Sequence, residues 1–315
     1  MHAAQRAVIK LLPFQSSSLV STQELYSCGR EKIGWSQVLT IASRVFLLPS
    51  LEVWWPDGPE SVLALLTQCP LVTVHGCPDD TAAALEEHSF RRKSTCTLLF
   101  DLTVPTAELW QGLRRKSCRQ DINKALRRAP DIVVNGDTDA VFRLINQHIR
   151  RKGYRAALSG PEWDRILSHG DVFSIWCEGV LIAAHAVLVD WPTRARATIG
   201  GEIEPTDTRF LGMIGPMNRL LHWHEMNHYK HHGVHHYDFG GLVLDHASPF
   251  YDITRFKLSF GGEPVSENVL QLWRGARGRR LLRELAARDG ARQAFHSLVQ
   301  VGGRFRPGSL GAQGH

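Results

Sequence analysis

The chain has 315 residues, of which 43% are apolar and 22% are charged, and its formal net charge is +6. This composition is that of a folded globular protein with room for two domains, and it excludes a collagen-like, coiled-coil or wholly disordered chain. No uncharged apolar run reaches the ~20 residues that span a bilayer, and the N-terminus lacks the pattern of a secretory leader. We therefore expect a cytoplasmic protein without a transmembrane helix.

The cysteines are scattered and form no Cys-x-x-Cys pair, so neither a disulfide framework nor a zinc knuckle is predicted. Positive charge is concentrated in residues 113–152 and 274–306, while the rest of the chain is net acidic. Two basic blocks on an acidic protein indicate a polyanionic partner, such as nucleic acid, a nucleotide-linked substrate or the phosphates of a large cofactor. The alternative for each block is a solvated helix face.

Residues 1–100 alternate short apolar runs with helix-like stretches. The predicted strands are 45–55, 70–76 and 96–102, and the predicted helices are 59–68 and 79–90, the second capped by Asp79 or Asp80. Residues 106–130 predict one or two amphipathic helices with a cationic outer face, capped by Thr106 and ended by Pro130. A strand over 131–136 and a helix ended by Gly153 follow.

The second half of the chain begins with a predicted helix over 161–170, followed by two or three strands within 172–203. A long helix ended by Gly233 and a strand over 235–241 come next. The residues from 274 onward predict a basic helix broken at Gly290. We therefore predict an α/β (α+β) protein with two modules, roughly 1–150 and 151–272, and a basic helical tail over 273–315.

Two glycine-ending strings carry a family resemblance. The string YDFGG occupies 237–241, and FKLSFGG begins fifteen residues further on, at 256–262. Upstream, the basic segment 113–128 has Arg119, Ile122, Lys124 and Ala125 in an R-x-x-I-x-K-A pattern. Over roughly residues 85–265 the chain resembles Fem-like proteins, the branch of the acetyltransferase-fold (GNAT) superfamily that includes peptidoglycan-bridge aminoacyltransferases.

This resemblance implies two tandem GNAT-like modules, with the tail packed back on the first, and an amide-forming acyl transfer. It implies Lys257 as the cation that stabilises the oxyanion and Phe256 as a residue that shapes the site, and we expect Asp238 to help orient the amine. The plain alternatives are a surface lysine on a strand and an Asx-turn aspartate. The acceptor would be an amine on a peptide, peptidoglycan precursor or natural product, in a pocket formed by Tyr237, Phe239, Gly240 and Gly241.

Aminoacyl-tRNA is the donor that the resemblance favours, because its phosphates match the basic blocks. No tightly bound cofactor is expected, and acyl-CoA is the alternative donor. In acetyltransferases a glycine loop before a helix faces the coenzyme's phosphates, but here Gly215 is three residues after Gly212 and Pro216 starts the helix. The expected donor contacts are Arg114, Arg115, Lys116, Arg119, Lys124, Arg127, Arg128, Arg209, Gly212 and Gly215, with Arg279, Arg280 and Arg283 of the tail.

A competing motif lies in the histidine-rich segment 222–236. Residues 224–228, HEMNH, match the His-Glu-x-x-His pattern of zinc peptidases, with His232, His235 or His236 as a third ligand. The extended pattern requires Gly at 231 and His at 234, where the chain has His231 and Val234. We therefore expect no metal centre and favour adventitious metal binding or a histidine-lined acceptor site. A non-catalytic RNA-binding protein is the remaining alternative.

Overall fold

The computed structural model describes residues 19–20, 39–45, 48–153, 155–204, 208–248, 250–284 and 287. Within these residues the strands are β1 (Leu19–Val20), β2 (Leu39–Val45), β3 (Leu48–Trp54), β4 (Leu71–Cys77), β5 (Ser89–Asp101), β6 (Asp131–Val134), β7 (Gly170–Cys177), β8 (Val180–Asp190), β9 (Arg194–Glu202), β10 (His236–Gly241) and β11 (Glu263–Trp273). All of them belong to one sheet, in the order β1-β2-β3-β4-β11-β5-β10-β9-β8-β7-β6.

Helices occupy most of the connections between these strands. They are α1 (Pro59–Gln68), α2 (Asp79–Ala84), α3 (Thr106–Gly112), α4 (Gln120–Leu126), α5 (Thr138–Lys152), α6 (Gly160–His169), α7 (Ile214–His231) and α8 (Tyr251–Leu258), with a π-helical turn at Arg115–Arg119 before α4. Local chemistry sets several ends. Gly153 ends α5 at a φ of 67°, and Ser159 begins α6 with a capping box. The predicted α/β class is confirmed.

Each half of the sheet repeats one arrangement. β2 and β3 are antiparallel, α1 crosses over, and β4 lies parallel to β3. β8 and β9 are likewise antiparallel, α7 crosses over, and β10 lies parallel to β9. A parallel neighbour needs such a crossover, because a tight hairpin produces only antiparallel pairs. The structure therefore contains the two tandem modules that the sequence predicts.

The last strand of each module is exchanged with the other module. β5 pairs with β10, while β11 lies between β4 and β5. The predicted division into 1–150 and 151–272 does not follow this strand order, since β11 lies in the N-terminal half, and β6 and α5 lie beside β7 and β9. Strand order is decided by tertiary pairing, which the linear sequence does not display.

The largest hydrophobic core fills the space between α4, α7 and the sheet. Met217 and Leu221 on α7 are buried there against sheet residues such as Phe173, and their i, i+4 spacing places both on one helix face. On β8, Ala183 belongs to this core, whereas the next residue, Ala184, belongs to a separate core under α5. Helices α5 and α7 therefore cover opposite faces of β8.

The described start of the basic tail lies against the N-terminal half of the sheet. Arg274 donates its backbone N–H to the Pro70 carbonyl at 3.1 Å, and the Arg283 Nε donates to the Ser89 carbonyl at 2.8 Å. Residues 276–284 are helical. The tail from 288 onward, including the predicted break at Gly290, lies outside the described residues. None of the helices in the described ranges is long and apolar enough to cross a membrane.

A buried ion cluster joins β9, β10 and β11. Arg194 on β9 donates to Asp238 Oδ2 on β10 at 2.6 and 3.0 Å, and to Glu267 Oε1 on β11 at 2.5 Å. Arg196 donates to the same Asp238 oxygen at 3.0 Å. Asp238 is completely buried and Arg194 is only 8% exposed. Removing one partner from such a cluster leaves an uncompensated buried charge.

We expect Arg194→Ala to lower the free energy of unfolding by about 3–5 kcal/mol, because Asp238 and Glu267 would stay buried without their shared cation. Denaturant unfolding measures this loss. The control is Arg128→Ala, which removes an exposed pair with Glu178 at 3.4 Å and is expected to cost less than about 1 kcal/mol. Equal losses in the two variants would contradict a dominant role for the buried cluster.

Candidate active site at the divergence of two parallel strands

The pairing between β9 and β10 is short, and the two strands then diverge. Only residues 236–238 of β10 pair with residues 194–196 of β9. Past Asp238, β10 bulges against β5, and Gly240 adopts a φ of 75°. A Cβ at Gly240 would lie 3.1 Å from the Ala197 carbonyl oxygen, so glycine suits both the backbone angle and the close approach. The divergence opens a gap within the sheet.

A cavity of about 670 Å³ occupies this gap. Its wall combines residues of six elements, among them Phe239 of β10 at the divergence, with Arg155 and Phe250 outside the helices and strands. The wall includes His148 and Lys152 of α5, His185 of β8, Gly200 and Glu202 of β9, Gly215 and His222 of α7, and Phe256 and Lys257 of α8. Apolar walls with a few convergent polar groups are typical of small-molecule sites.

Lys257 lies in this cavity, on the last turn of α8. The alternative of a lysine alternating on a strand is therefore wrong, because the segment is helical. The Lys257 Nζ donates to the Gly241 carbonyl at 2.8 Å. Burial lowers the pKa of Lys257 to about 8, with Asp238 opposing this shift and Arg196 adding to it. The group is therefore an ammonium at neutral pH that loses its charge in mildly basic solution.

Phe256 precedes Lys257 and also lines the cavity. Its ring packs against Phe260 at a centroid distance of 5.5 Å, and the Arg219 guanidinium lies 4.5 Å from its centroid. These contacts fix the ring beside Lys257.

Asp238, predicted to orient the amine, lies in the ion cluster and not on the cavity wall. Besides the two arginines, it accepts hydrogen bonds from the Thr97 hydroxyl and, at 2.7 Å, from the Gly240 N–H. Burial would raise the pKa of Asp238, but Arg196 and Arg194 hold it below its ordinary value. A direct contact with an amine would require one of these bonds to break, so the geometry favours a role in placing β10.

The four residues of the predicted acceptor pocket lie in different surroundings along β10, and they do not form one pocket. Phe239 lines the cavity, and Gly241 accepts the bond from Lys257. Gly240 forms the turn that opens the gap. Tyr237 is completely buried behind the wall, where its hydroxyl donates to Glu225 of α7.

A polar cluster that the sequence analysis did not assemble lies beside Tyr237. One oxygen of the Glu225 carboxylate lies 2.5 Å from the His185 Nδ1. The other oxygen lies 3.1 Å from the His222 Nδ1 and also accepts a hydrogen bond from the Tyr237 hydroxyl. The two imidazole rings stack at a centroid distance of 4.1 Å. All four residues are buried, and both histidines line the cavity.

The HEMNH motif does not form the peptidase arrangement in the described residues. His224 and His228 lie beside Phe173, with ring centroids 6.3 and 5.2 Å away, while Glu225 faces His185. The group of potential metal ligands found in the described ranges is instead His185, His222 and Glu225. In this group the Glu225 carboxylate lies within hydrogen-bonding distance of both Nδ1 atoms. A metal ion bound to the same two nitrogens would need the position that the carboxylate occupies.

The predicted donor contacts form an exposed cationic surface beside the cavity. Six of its seven basic residues on 114–128 are exposed, Arg119 being half-buried. The Lys124 Nζ donates to the Gly212 carbonyl at 2.9 Å, which ties this surface to the loop before α7. Gly212 has a φ of 72°, and Gly215, in the first turn of α7, lines the cavity. Arg209 lies over the Phe210 ring in the same loop.

The fold built from these elements has counterparts among solved structures. The structure is similar to the crystal structure of FemX, with a TM-score of 0.58 and 12% identity over 84% of this chain and 90% of that one. It is also similar to a conserved protein of unknown function from Bacteroides thetaiotaomicron, with a TM-score of 0.50 and 9% identity over 75% of this chain and 83% of that one. The predicted resemblance to the Fem-like branch is confirmed at the level of the fold. No protein-family model and no curated protein matches the sequence.

The sequence contains only a partial signal for the histidine cluster. His185 stands alone among apolar residues of β8, and Glu225 is masked by the HEMNH motif. The i, i+3 spacing of His222 and Glu225 does place them on one helix face. Their partners on β8 and β10 are remote in sequence, so only tertiary pairing brings them together.

The pKa of Lys257 provides a direct check of the site's geometry. Because burial disfavours the ammonium form, we expect NMR spectra of ¹³C-methylated lysines to contain one signal with a midpoint near pH 8. That signal should be absent from Lys257→Arg. A Lys257 signal that titrates near the ordinary lysine value of about 10.4 would contradict the enclosed position.

Proposed function

We propose that this protein is an N-acyltransferase that joins an activated acyl group to an amine and so forms an amide bond. The observation that carries the proposal is the Lys257 ammonium, held inside a cavity at the divergence of β9 and β10. The similarity of the fold to FemX supports the same class of reaction. Such a site must hold donor and acceptor together and stabilise the oxyanion that develops on the attacked carbonyl.

Lys257 is suited to the second task. An ammonium has three N–H donors, and the Gly241 carbonyl accepts one of them, which leaves the others for a substrate oxygen. Its partial burial strengthens its field, because the effective dielectric constant there is lower than in bulk water. Phe256 forms the apolar wall beside it and helps to exclude water. No covalent intermediate on the enzyme is needed.

Aminoacyl-tRNA is the donor that we propose. The exposed arginines and lysines of 114–128 form a surface suited to a phosphate backbone, and the Lys124–Gly212 bond places it next to the loop that leads to the cavity. The acceptor would be an amine on a peptide, peptidoglycan precursor or natural product. Acyl-CoA is the alternative donor, favoured by Gly215 at the start of α7, where backbone N–H groups can face a phosphate.

Replacing Lys257 tests the proposed chemistry. We expect Lys257→Ala to lower kcat for amide formation by about 10²–10³-fold, as loss of an oxyanion donor does. In the wild type, kcat should fall as the pH rises through about 8, because the ammonium is then lost. Lys257→Arg keeps the charge and should lose this decline.

The control for this measurement is Lys93→Ala, which removes an exposed lysine on β5. Full activity in Lys257→Ala with every donor would refute the proposed role. Intact RNA binding without turnover in the wild type would indicate a binding protein, and activity abolished by a chelator would indicate the peptidase.

The basic surface makes a separate prediction about the donor. We expect tRNA binding to weaken steeply with salt, and the triple variant Arg115→Gln/Lys116→Gln/Arg127→Gln to reduce the log–log slope by up to about 3, one for each lost phosphate contact. The matched control replaces Arg91, Lys93 and Arg143, which are exposed on other elements. Tight acyl-CoA binding with a shallow slope, together with weak tRNA binding, would favour the alternative donor.

A further inference from the structure

The polar cluster of His185, His222, Glu225 and Tyr237 has no part in the oxyanion chemistry described above, although two of its members line the cavity. We propose that His185 is the general base of this site, with Glu225 as the residue that positions it. The inference rests on the proposed acyl transfer and adds the group that takes the proton from the attacking amine.

The hydrogen bonds determine which nitrogen of His185 is free to act. Burial would raise the pKa of Glu225, but the His185 and His222 rings hold it below its ordinary range, so the carboxylate is ionised and only accepts. The His185 Nδ1, at 2.5 Å, must therefore donate to it, as the Tyr237 hydroxyl does, while the His222 Nδ1 lies between Glu225 at 3.1 Å and the Tyr237 hydroxyl at 2.9 Å. In the neutral imidazole of His185, the lone pair then lies on Nε2, on the edge of the ring away from Glu225.

The strand opposite His185 leaves that edge accessible. Gly200 on β9 is the register partner of His185 and also lines the cavity. A Cβ at Gly200 would lie 2.7 Å from Cδ2 and 3.3 Å from Nε2 of His185. Any side chain there would press on this edge of the ring, so the glycine keeps Nε2 open toward the cavity.

His222 is less suited to the same task. Its ring packs against Phe239 at 4.4 Å and Phe260 at 5.7 Å. Burial lowers the pKa of His222 to about 4, with the neighbouring His185 acting in the same direction. A weak, enclosed base of this kind serves better as a neutral ring that supports His185 by stacking.

The proposed step balances without any further reactant. The amine nitrogen attacks the carbonyl carbon of the donor ester, and one N–H proton passes to Nε2 of His185 as the C–N bond forms. Lys257 stabilises the oxyanion. When the tetrahedral intermediate collapses, the C–O bond to the leaving group breaks, and the His185 imidazolium gives its proton to the departing oxygen. Glu225 stabilises the imidazolium in between, as a carboxylate does in a catalytic triad.

The charged and titratable groups around His185 come from every element that faces the cavity. They are Glu225 and His222 on α7, Tyr237 on β10, Asp252 and Lys257 on α8, Glu202 on β9, His148 and Lys152 on α5, and Arg155 in the loop after α5.

The test compares amide formation by His185→Gln and by His231→Gln, the latter an exposed histidine at the end of the same α7. We expect His185→Gln to lower kcat/KM by about 10²–10⁴-fold and His231→Gln to keep the wild-type value. Free imidazole should raise the rate of His185→Gly by about tenfold or more, because it can supply the missing base. A purely structural role for His185 would give no such rescue.

A second variant and a spectroscopic measurement guard against misfolding of His185→Gln. Gly200→Ala keeps all four side chains of the cluster and should lower kcat/KM, because its Cβ would press on the Cδ2–Nε2 edge of the His185 ring. Long-range ¹H–¹⁵N NMR spectra of the wild type should show His185 protonated at Nδ1 and bare at Nε2.

Four outcomes would overturn the inference. Wild-type rates in His185→Gln, with Lys257→Ala impaired, would refute the base and leave the acyl transfer standing. A proton on Nε2 of His185, or stoichiometric zinc bound at the Nδ1 atoms, would refute it independently of any activity. A wild type inactive with both aminoacyl-tRNA and acyl-CoA would refute the proposed function first, and the base with it.

Discussion

The position of Arg194 between two carboxylates determines much of this structure. Its guanidinium binds Asp238 of β10 and Glu267 of β11, so that one side chain of β9 ties together strands from both modules. The exchange of β5 and β11 between the modules makes such a junction possible. Each buried charge is compensated only while its partners are present, so the cluster holds β10 against β9 at Asp238. The pairing of the two strands ends at that residue. The gap that holds the cavity begins at the next residues.

Strand β10 contributes side chains both to the ion cluster and to the cavity. Successive strand residues point to opposite faces of the sheet, so Asp238 joins the arginines while Tyr237 and Phe239 face α7 and the cavity. Gly240 then turns the chain away from β9. The string YDFGG therefore has a separate physical reason at each position, and the family resemblance that it carries reflects the construction of the divergence.

Much of the fold could be predicted from the sequence, because most signals were local. The helix at 59–68, the Gly153 end of α5 and the strand at 235–241 follow from periodicity and from turn chemistry. The helix that carries Lys257 could not be predicted, because its short segment has an apolar pattern that fits a helix or a strand equally well. The exchange of β5 and β11, the engagement of Asp238 by two arginines and the meeting of His185 with Glu225 all depend on residues tens of positions apart, which no local pattern records.

In the histidine-rich helix α7, the HEMNH motif suggests the wrong partners for Glu225. On a helix, successive residues point about 100° apart, so Glu225 cannot share a direction with the adjacent His224. It meets His222, one turn earlier, and His185 from the sheet. The cavity thereby holds an ammonium at Lys257 and a neutral ring at His222 at neutral pH. Because the His222 ring stays uncharged, it adds no positive charge beside His185, and Lys257 remains the cation that can face the oxyanion.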